Sequence, residues 1–486
     1  MINSLASRLH PSIPSPCGCS IQAQVRKLSR NHLLAGSSSF SCQYQQLSCV
    51  RCLSGASSTG SSTPSRSKTF DEYRKALGLR TQDDYFRIER ANCAPNYVPT
   101  PVVISRGEGV FVWDTDGKRY YDFVSGISSL NQGHCHPRIV EALEKQAKLL
   151  TLTCRVLHNN VMPILCKFVN DLLGYEKTIL MNTGAEAGET ALKAARKWGY
   201  EVKGIPENTA KIILCRNNYW GRTITAASSS TTLENYKNFG PYTPGFELIA
   251  YDDLPALEHA LEDQAVAAFF VEPIQGEGGV IIPRDGYLRK AAELCRAKNV
   301  LFIIDEIQTG LGRTGRMLAS DWDGVRPDIV LLGKSFTGGT LPCSAVVTDR
   351  HVMDVFTPGT HGSTYGGNPL ACAVAYEALS VIVDENLAEN ARLQGELLRG
   401  ALRKLKDEHK LSWIHDIRGR GLLNAVEVKG SCGVATQLCM ELKNEGILCR
   451  PTHGNVVRFL PPLCITREQM EEAIQGIANV FLRKSF

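Results

Sequence analysis

No apolar run in the 486-residue chain approaches the roughly 18 residues that a membrane-spanning helix needs, so no span is expected. Acidic residues are missing altogether from positions 1–70, which hold seven Lys or Arg and 18 serines. A basic, serine-rich, acid-free start has the composition of an organelle transit peptide, so 1–70 is expected to be such an extension. The mitochondrial matrix is the expected address, with the cytoplasm as the alternative. The continuous apolar stretch of a secretory signal is absent there. The rest of the chain lacks a charge excess, with 47 basic against 49 acidic residues from Asp71 onward, which argues against nucleic-acid or membrane partners. A disulfide framework is missing too. The 17 cysteines are odd in number, five lie before residue 70, and the others are scattered through apolar segments, as buried free thiols are. Cys49-Val-Arg-Cys52 has no second pair to close a zinc site. There is no internal repeat, no Walker A sequence and no Gly-x-Ser-x-Gly elbow.

What is present is an alternation of short apolar runs with helix-like stretches between about 175 and 350, the pattern of an α/β protein with a mainly parallel sheet. The spacing predicts strands at Thr178–Met181, Lys211–Cys215, Leu248–Tyr251, Ala267–Val271, Leu301–Asp305 and Asp328–Leu332. Helices are expected at Glu186–Tyr200, Leu254–Asp263 and Tyr287–Lys298. After Pro369 one long helical stretch should run to about Glu408, with mixed structure beyond it in a smaller domain. Runs such as Ala-Phe-Phe-Val and Leu-Phe-Ile-Ile suit strands buried on both faces. Ligands of such sheets gather at the carboxyl ends of the strands, where the polar residues cluster here.

Three of those strand ends carry chemistry. Asn182-Thr-Gly-Ala-Glu comes after a strand and opens a helix, so Gly184 and Ala185 are candidates to cradle a phosphate with backbone N–H groups. Asp305 ends the most apolar strand, where a carboxylate needs a partner. Lys334 ends another, where desolvation lowers an amine's pKa and suits it to Schiff-base chemistry. An amine, an anion and a phosphate cradle together match the needs of pyridoxal phosphate. Gly310-Leu-Gly-Arg-Thr-Gly315 is a formal GxGxxG, on which a nicotinamide-dependent dehydrogenase would rest, but Arg316 onward reads poorly as the start of a helix. A cofactor-free interaction protein on the same fold is a third reading. His134-Cys135-His136 has spacing too tight for one tetrahedral metal, and no metal is expected.

From about Glu89 onward the chain resembles the class III aminotransferases, the ω-amino-acid branch of the fold-type-I pyridoxal phosphate enzymes. The resemblance is carried by Asn131-Gln-Gly-His-Cys-His-Pro137, Asn182-Thr-Gly-Ala-Glu-Ala-Gly-Glu189, Trp220-Gly-Arg-Thr223, Val271-Glu-Pro-Ile-Gln-Gly-Glu277, Asp305-Glu-Ile-Gln-Thr-Gly310, Leu332-Gly-Lys334, His361-Gly-Ser-Thr-Tyr-Gly-Gly-Asn368 and Pro451-Thr-His-Gly454. It implies a large cofactor-binding domain over 131–386 and a small α+β domain from the chain ends, 71–130 and 387–486. It implies that Lys334 carries the cofactor, Asp305 holds the ring nitrogen protonated, Gln308 bonds the ring hydroxyl and Tyr219 stacks on the ring. Ser363 and Thr364 would reach the phosphate of a second subunit, which makes a homodimer the expected assembly. The implied substrates are small amino acids and 2-oxo acids, with ornithine as donor and N-acetylornithine or 4-aminobutyrate as alternatives. Arg222 with Tyr97 would clamp a carboxylate far from the cofactor, and Arg458 one close to it. Glu277 would mask Arg458 when the first is in use. Ile127 stands where ornithine-using members carry a tyrosine against the substrate, and its apolar wall would broaden the range of donors.

Overall fold

The structure, a computed structural model, describes residues 69–430 and 433–484, so the proposed transit segment, save its last two residues, and the Cys49–Cys52 motif lie outside the described residues. Contacts divide the chain after Tyr73, and the unit that begins at Arg74 carries all three sheets. Its first strands, β1 (Ile104–Glu108), β2 (Phe111–Asp114) and β3 (Arg119–Asp122), form an antiparallel meander.

The central sheet comes next along the chain. It comprises β4 (Lys177–Met181), β5 (Lys211–Cys215), β6 (Phe246–Ile249), β7 (Val266–Val271), β8 (Leu301–Asp305), β9 (Ile329–Leu332) and β10 (Ser344–Thr348), in the spatial order 4-10-9-8-7-5-6. All pairs are parallel except those of β10, which runs antiparallel between β4 and β9. Strand side chains alternate between faces, and here both faces are covered. Phe270 and Ile303 pack with Leu192 and Trp198 of helix Gly184–Trp198, while Phe269 and Phe302 pack with Leu257 and Leu288 of the helices on the other face. The face that holds Leu301 and Ile303 therefore continues to Asp305, and that of Ala268 and Phe270 continues to Glu272. Two neighbouring strands thus deliver carboxylates side by side, toward the helix that starts at Gly184.

The last sheet is antiparallel, in the order β11 (Ile414–Arg420), β12 (Leu423–Val428), β15 (Val456–Phe459), β14 (Arg450–Thr452). The short β13 (Ile447–Leu448) leaves it to pair in parallel with β3, so the two ends of the unit share one sheet. The long helical stretch after Pro369 is two helices, Pro369–Asp384 and Leu387–Glu408, broken where Asn386 takes the left-handed conformation (φ 50°). β6 lies two residues earlier than its apolar run suggests, and β10 is a strand the alternation does not announce.

One local element matters for the site. Ser125, Gly126, Ile127 and Ser128 all have positive φ (46°, 54°, 57° and 68°), a single left-handed turn. Such a turn costs about 1–2 kcal/mol for each residue with a side chain, and most for a β-branched one. Asp122 holds it: its Oδ1 accepts the N–H groups of Val124 and Ser125, both at 2.9 Å, and its Oδ2 lies 2.7 Å from Nε2 of His134.

Candidate active site

The carboxyl ends of β4, β5, β7, β8 and β9 open onto a cavity of about 460 Å³. Gly184, Ala185, Tyr219, Asp305, Gln308 and Lys334 line it, with Tyr97 and Arg222 at its rim. Burial pushes Asp305 up to about 6, although the Ile307 N–H (2.9 Å to Oδ1) and the Lys334 ammonium favour its charged form. Burial also lowers the Lys334 amine below its ordinary value, against the pull of Asp305, Glu277 and Glu272. Glu272 accepts the Tyr219 N–H at 2.9 Å. Burial first, and then the charge of Asp305, raise its carboxyl well above the usual range. Sequence reasoning passed over Glu272, though the rule that singled out Asp305, a carboxylate closing a wholly apolar strand, applies equally to Val271-Glu272.

At the helix start, the Thr183 hydroxyl accepts the Glu186 N–H (3.2 Å) and the Glu186 carboxylate accepts those of Asn182 and Thr183 (2.7 and 2.9 Å). This reciprocal cap leaves the first-turn N–H groups of Gly184 and Ala185 without acceptors in the helix, at the wall of the cavity. Gly221 (φ 142°) lets the Trp220–Thr223 loop close on that helix, since a Cβ there would come within 2.7 Å of Ala185 Cβ.

The second half of the site is a turn. Gln275 and Ile281 exchange backbone hydrogen bonds of 3.1 and 3.0 Å, and Glu277 stands on the loop between them. Glu277 pairs with Arg458 of β15, Nη1 to Oε1 at 2.6 Å and Nη2 to Oε2 at 3.4 Å, and accepts from Gln308 Nε2 at 3.2 Å. Burial alone would raise the Glu277 carboxyl, but the Arg458 guanidinium, with Gln308 and Lys334, holds it below its ordinary value. Gly276 leaves room for the Gln308 amide, since a Cβ there would fall 1.5 Å from Gln308 Oε1 and push that side chain aside. Arg458 is 1% exposed and masked. Arg222 is exposed and, among the described residues, has no ion-pair partner. It also lines a second cavity of about 620 Å³, which Tyr219 and Glu277 line as well.

Three expected site residues sit elsewhere within one chain. Ile127 does not line the cavity; half-buried, it packs on the cluster of Ile274, Val280, Leu423 and Val456 beneath the Glu277 turn. Ser363 and Thr364 also lie off its walls, Ser363 Oγ accepting from Asn182 Nδ2 at 2.9 Å and Thr364 exposed. The Gly310–Gly315 motif runs through turns and not into a helix, and Arg313 within it is fully buried, donating to Asn131 Oδ1 and to the carbonyls of Leu422 and Pro461. It ties sheets together and offers no nucleotide cradle. His134 and His136 turn to different partners, Asp122 and Glu385.

The residues fit pyridoxal phosphate on their own terms. Gln308 Oε1 is buried without a hydrogen-bond partner, which suits a ring hydroxyl donor. Asp305 lies on the strand face that leads to the free first-turn amides, giving one wall for a ring cation and one for a phosphate. A paired ring cation needs Asp305 ionised, so below about pH 6 its proton must leave on binding. Cofactor affinity of the stripped protein is therefore expected to rise from pH 5 to 6.5 and then level, measured by absorbance titration. Affinity that stays flat across that range would argue against this pairing.

A doubly covered, mainly parallel sheet with lysine, aspartate and a helix N-terminus at its strand ends defines a fold-type-I pyridoxal-phosphate-dependent transferase. Residues 92–481 match the family model for aminotransferase class III, and the chain belongs to that family. It is 52% identical over 411 residues to the mitochondrial ornithine aminotransferase of Drosophila melanogaster, covering 85% of this chain and 94% of that one. The corresponding rat protein is 50% identical over 407 residues, 83% of this chain and 92% of its own. Among solved structures, ornithine aminotransferase of Toxoplasma gondii ME49 superposes with a TM-score of 0.83 at 59% identity, covering 86% of this chain and 99% of that one. An acetylornithine aminotransferase of Elizabethkingia anophelis gives 0.77 at 47%, with 84% and 100% covered.

Proposed function

We propose that this enzyme is an ornithine δ-aminotransferase, moving the δ-amino group of L-ornithine to 2-oxoglutarate to give glutamate 5-semialdehyde, which cyclises to pyrroline-5-carboxylate, and glutamate. The observation that carries the reading is the unequal state of the two arginines: Arg458 is paired with Glu277, while Arg222 has no ion partner among the described residues. A donor carboxylate can dock at Arg222, far from Lys334, and so present a distal amine. An α-carboxylate can dock at Arg458 only after Glu277 turns away. Bidentate pairing of each guanidinium with a carboxylate fixes the orientation.

The bound cofactor supplies the carbonyl that takes the amine and a ring that accepts electrons. Lys334 Nζ, its affinity for a proton reduced by burial, serves as the base that removes and returns the proton at the reacting carbon. Asp305 would keep a positive charge at the ring nitrogen, Gln308 would hydrogen-bond the ring hydroxyl and Tyr219 would cover the ring. Burial and the neighbouring Asp305 raise the Glu272 carboxyl and so disfavour a second negative charge beside Asp305. Ser363 and Thr364, off the walls of this chain's own cavity, are available to complete a phosphate site in a second copy, and a homodimer is proposed on that ground. Light scattering should give twice the chain mass.

A panel of amine donors with 2-oxoglutarate tests the substrate. Pyrroline-5-carboxylate formation from ornithine at the highest kcat/KM is expected, with weaker use of N-acetylornithine and 4-aminobutyrate; a panel led by either of those overturns it.

Glu277→Ala should unmask Arg458. Losing hydrogen bonds to a charged group, it is expected to raise the glutamate-to-ornithine ratio of kcat/KM by roughly 10- to 100-fold while lowering both rates. An unchanged ratio would make Glu277 a structural residue only.

The matrix address is also proposed, on the acid-free composition of 1–70 and the mitochondrial names of the fly and rat relatives. Removing 1–68 should leave full activity, and a reporter fused after residue 70 should enter mitochondria. A diffuse cytosolic reporter overturns the address.

A further inference from the structure

Outside the cavity, one side chain is built into the loop that carries Glu277. Arg418 of β11 donates from Nε to the carbonyls of Gly279 and Val280, both at 3.1 Å, and from Nη2 to Gly279 O at 2.7 Å. Its other edge is anchored on its own sheet, Nη1 lying 3.0 Å from Asp416 Oδ2 and 2.6 Å from Glu427 Oε2. The loop it grips does not adopt its shape for free. Val280 is a fully buried β-branched residue at φ 56°, next to Gly279 at φ 112°. A β-branched residue in that region is strained and persists only where its surroundings impose it. The hydrogen bonds of Arg418 end on the carbonyls of these same two residues. On the opposite side, the Thr452 hydroxyl donates to Glu277 O at 3.1 Å.

We propose that Arg418 is a positioning residue for donor selection: it latches the strained Gly279–Val280 backbone, so that Glu277 stays in register with Arg458 and the gate opens by side-chain rotation alone. The inference rests on the proposed gating by Glu277. Arg418 touches neither the cavity nor Arg458, and acts only through the loop. Without it the turn relaxes, the pair with Arg458 loosens, and an α-carboxylate competes more easily for Arg458. The two carboxylates left behind are partly exposed, so water can take over their charges.

The test is the kcat/KM ratio of glutamate to the best ω-amine donor, in the holoenzyme. Arg418→Met should raise it about fivefold, part of the worth of a hydrogen bond to a charged group. Arg418→Lys, which keeps the charge but not the fork, should raise it about twofold. In a Glu277→Ala background neither substitution should move it further, since coupled residues do not add. A residue that merely supports the fold would lower both donors alike and leave the ratio unmoved. The latch is overturned by an unmoved ratio, or by an equal shift with Glu277 absent. Should Arg418→Met not fold, by thermal melting, the Lys variant decides. A wild-type preference for a donor other than ornithine would revise the substrate and leave the latch to be judged on that donor.

Discussion

Lys334→Ala is expected to lower turnover by about 10⁴-fold or more, with the fold intact and cofactor still retained in part. General acid–base groups contribute about 10²- to 10⁴-fold, and the proposed role of this amine as covalent carrier adds to that. Among the described residues no other lysine lines the cavity to take over. The proposed phosphate cradle at Gly184 and Ala185 and the carboxylate of Asp305 are untouched by the change, which is why binding should outlast catalysis. Steady-state and single-turnover assays with ornithine, free of added amines, check this. Activity within tenfold of wild type would displace Lys334 from the role assigned to it.

Asp305→Asn should reduce cofactor affinity and turnover together, each by about 10²- to 10³-fold, the scale of breaking a buried ion pair. The amide keeps the shape and loses the charge, so ring protonation is no longer favoured. Burial, the main cause, should still hold the neighbouring Glu272 carboxyl up, with only the smaller contribution of the Asp305 charge lost. Cofactor titration and kcat are the measurements; retention of both within tenfold would show that the ring nitrogen is not held at Asp305.

The chemistry of this site is legible in the sequence where it depends on local context. Asp305 and Lys334 stand at the ends of runs too apolar to leave a charge unexplained, and the helix at Gly184 starts two residues after its strand. β10 is hidden because only a single 3-10 turn, Lys334–Thr337, and no α-helix separates Ser-Ala-Val-Val-Thr from β9, so the βαβ rhythm does not predict it. The break at Asn386 had a local signal, an asparagine suited to the left-handed conformation, but the flanking helical periodicity hid it. What the sequence could not disclose is the layer behind the site. The left-handed turn at Ile127 holds only one glycine, and the bond from Arg418 to the Glu277 loop spans about 140 positions. The turn relies on Asp122 and His134, and the Arg418 bond exists only once β11 has packed beside the Glu277 loop.

Asp305 and Lys334 face each other at the mouths of β8 and β9, beside the raised carboxyl of Glu272, so burial works against the charged forms at the centre of the cofactor-free protein. A ligand that brings a cation and a dianion to that place does more than enable chemistry. It selects the folded state, by about 2.7 kcal/mol at a hundredfold excess over its dissociation constant. Cellular quality control reads the unfolded fraction, so the abundance of this enzyme should track vitamin B6 supply, with scarcity seen first as faster turnover of the polypeptide. The same strand ends that make the catalyst would thereby tie its lifetime to the supply of its cofactor.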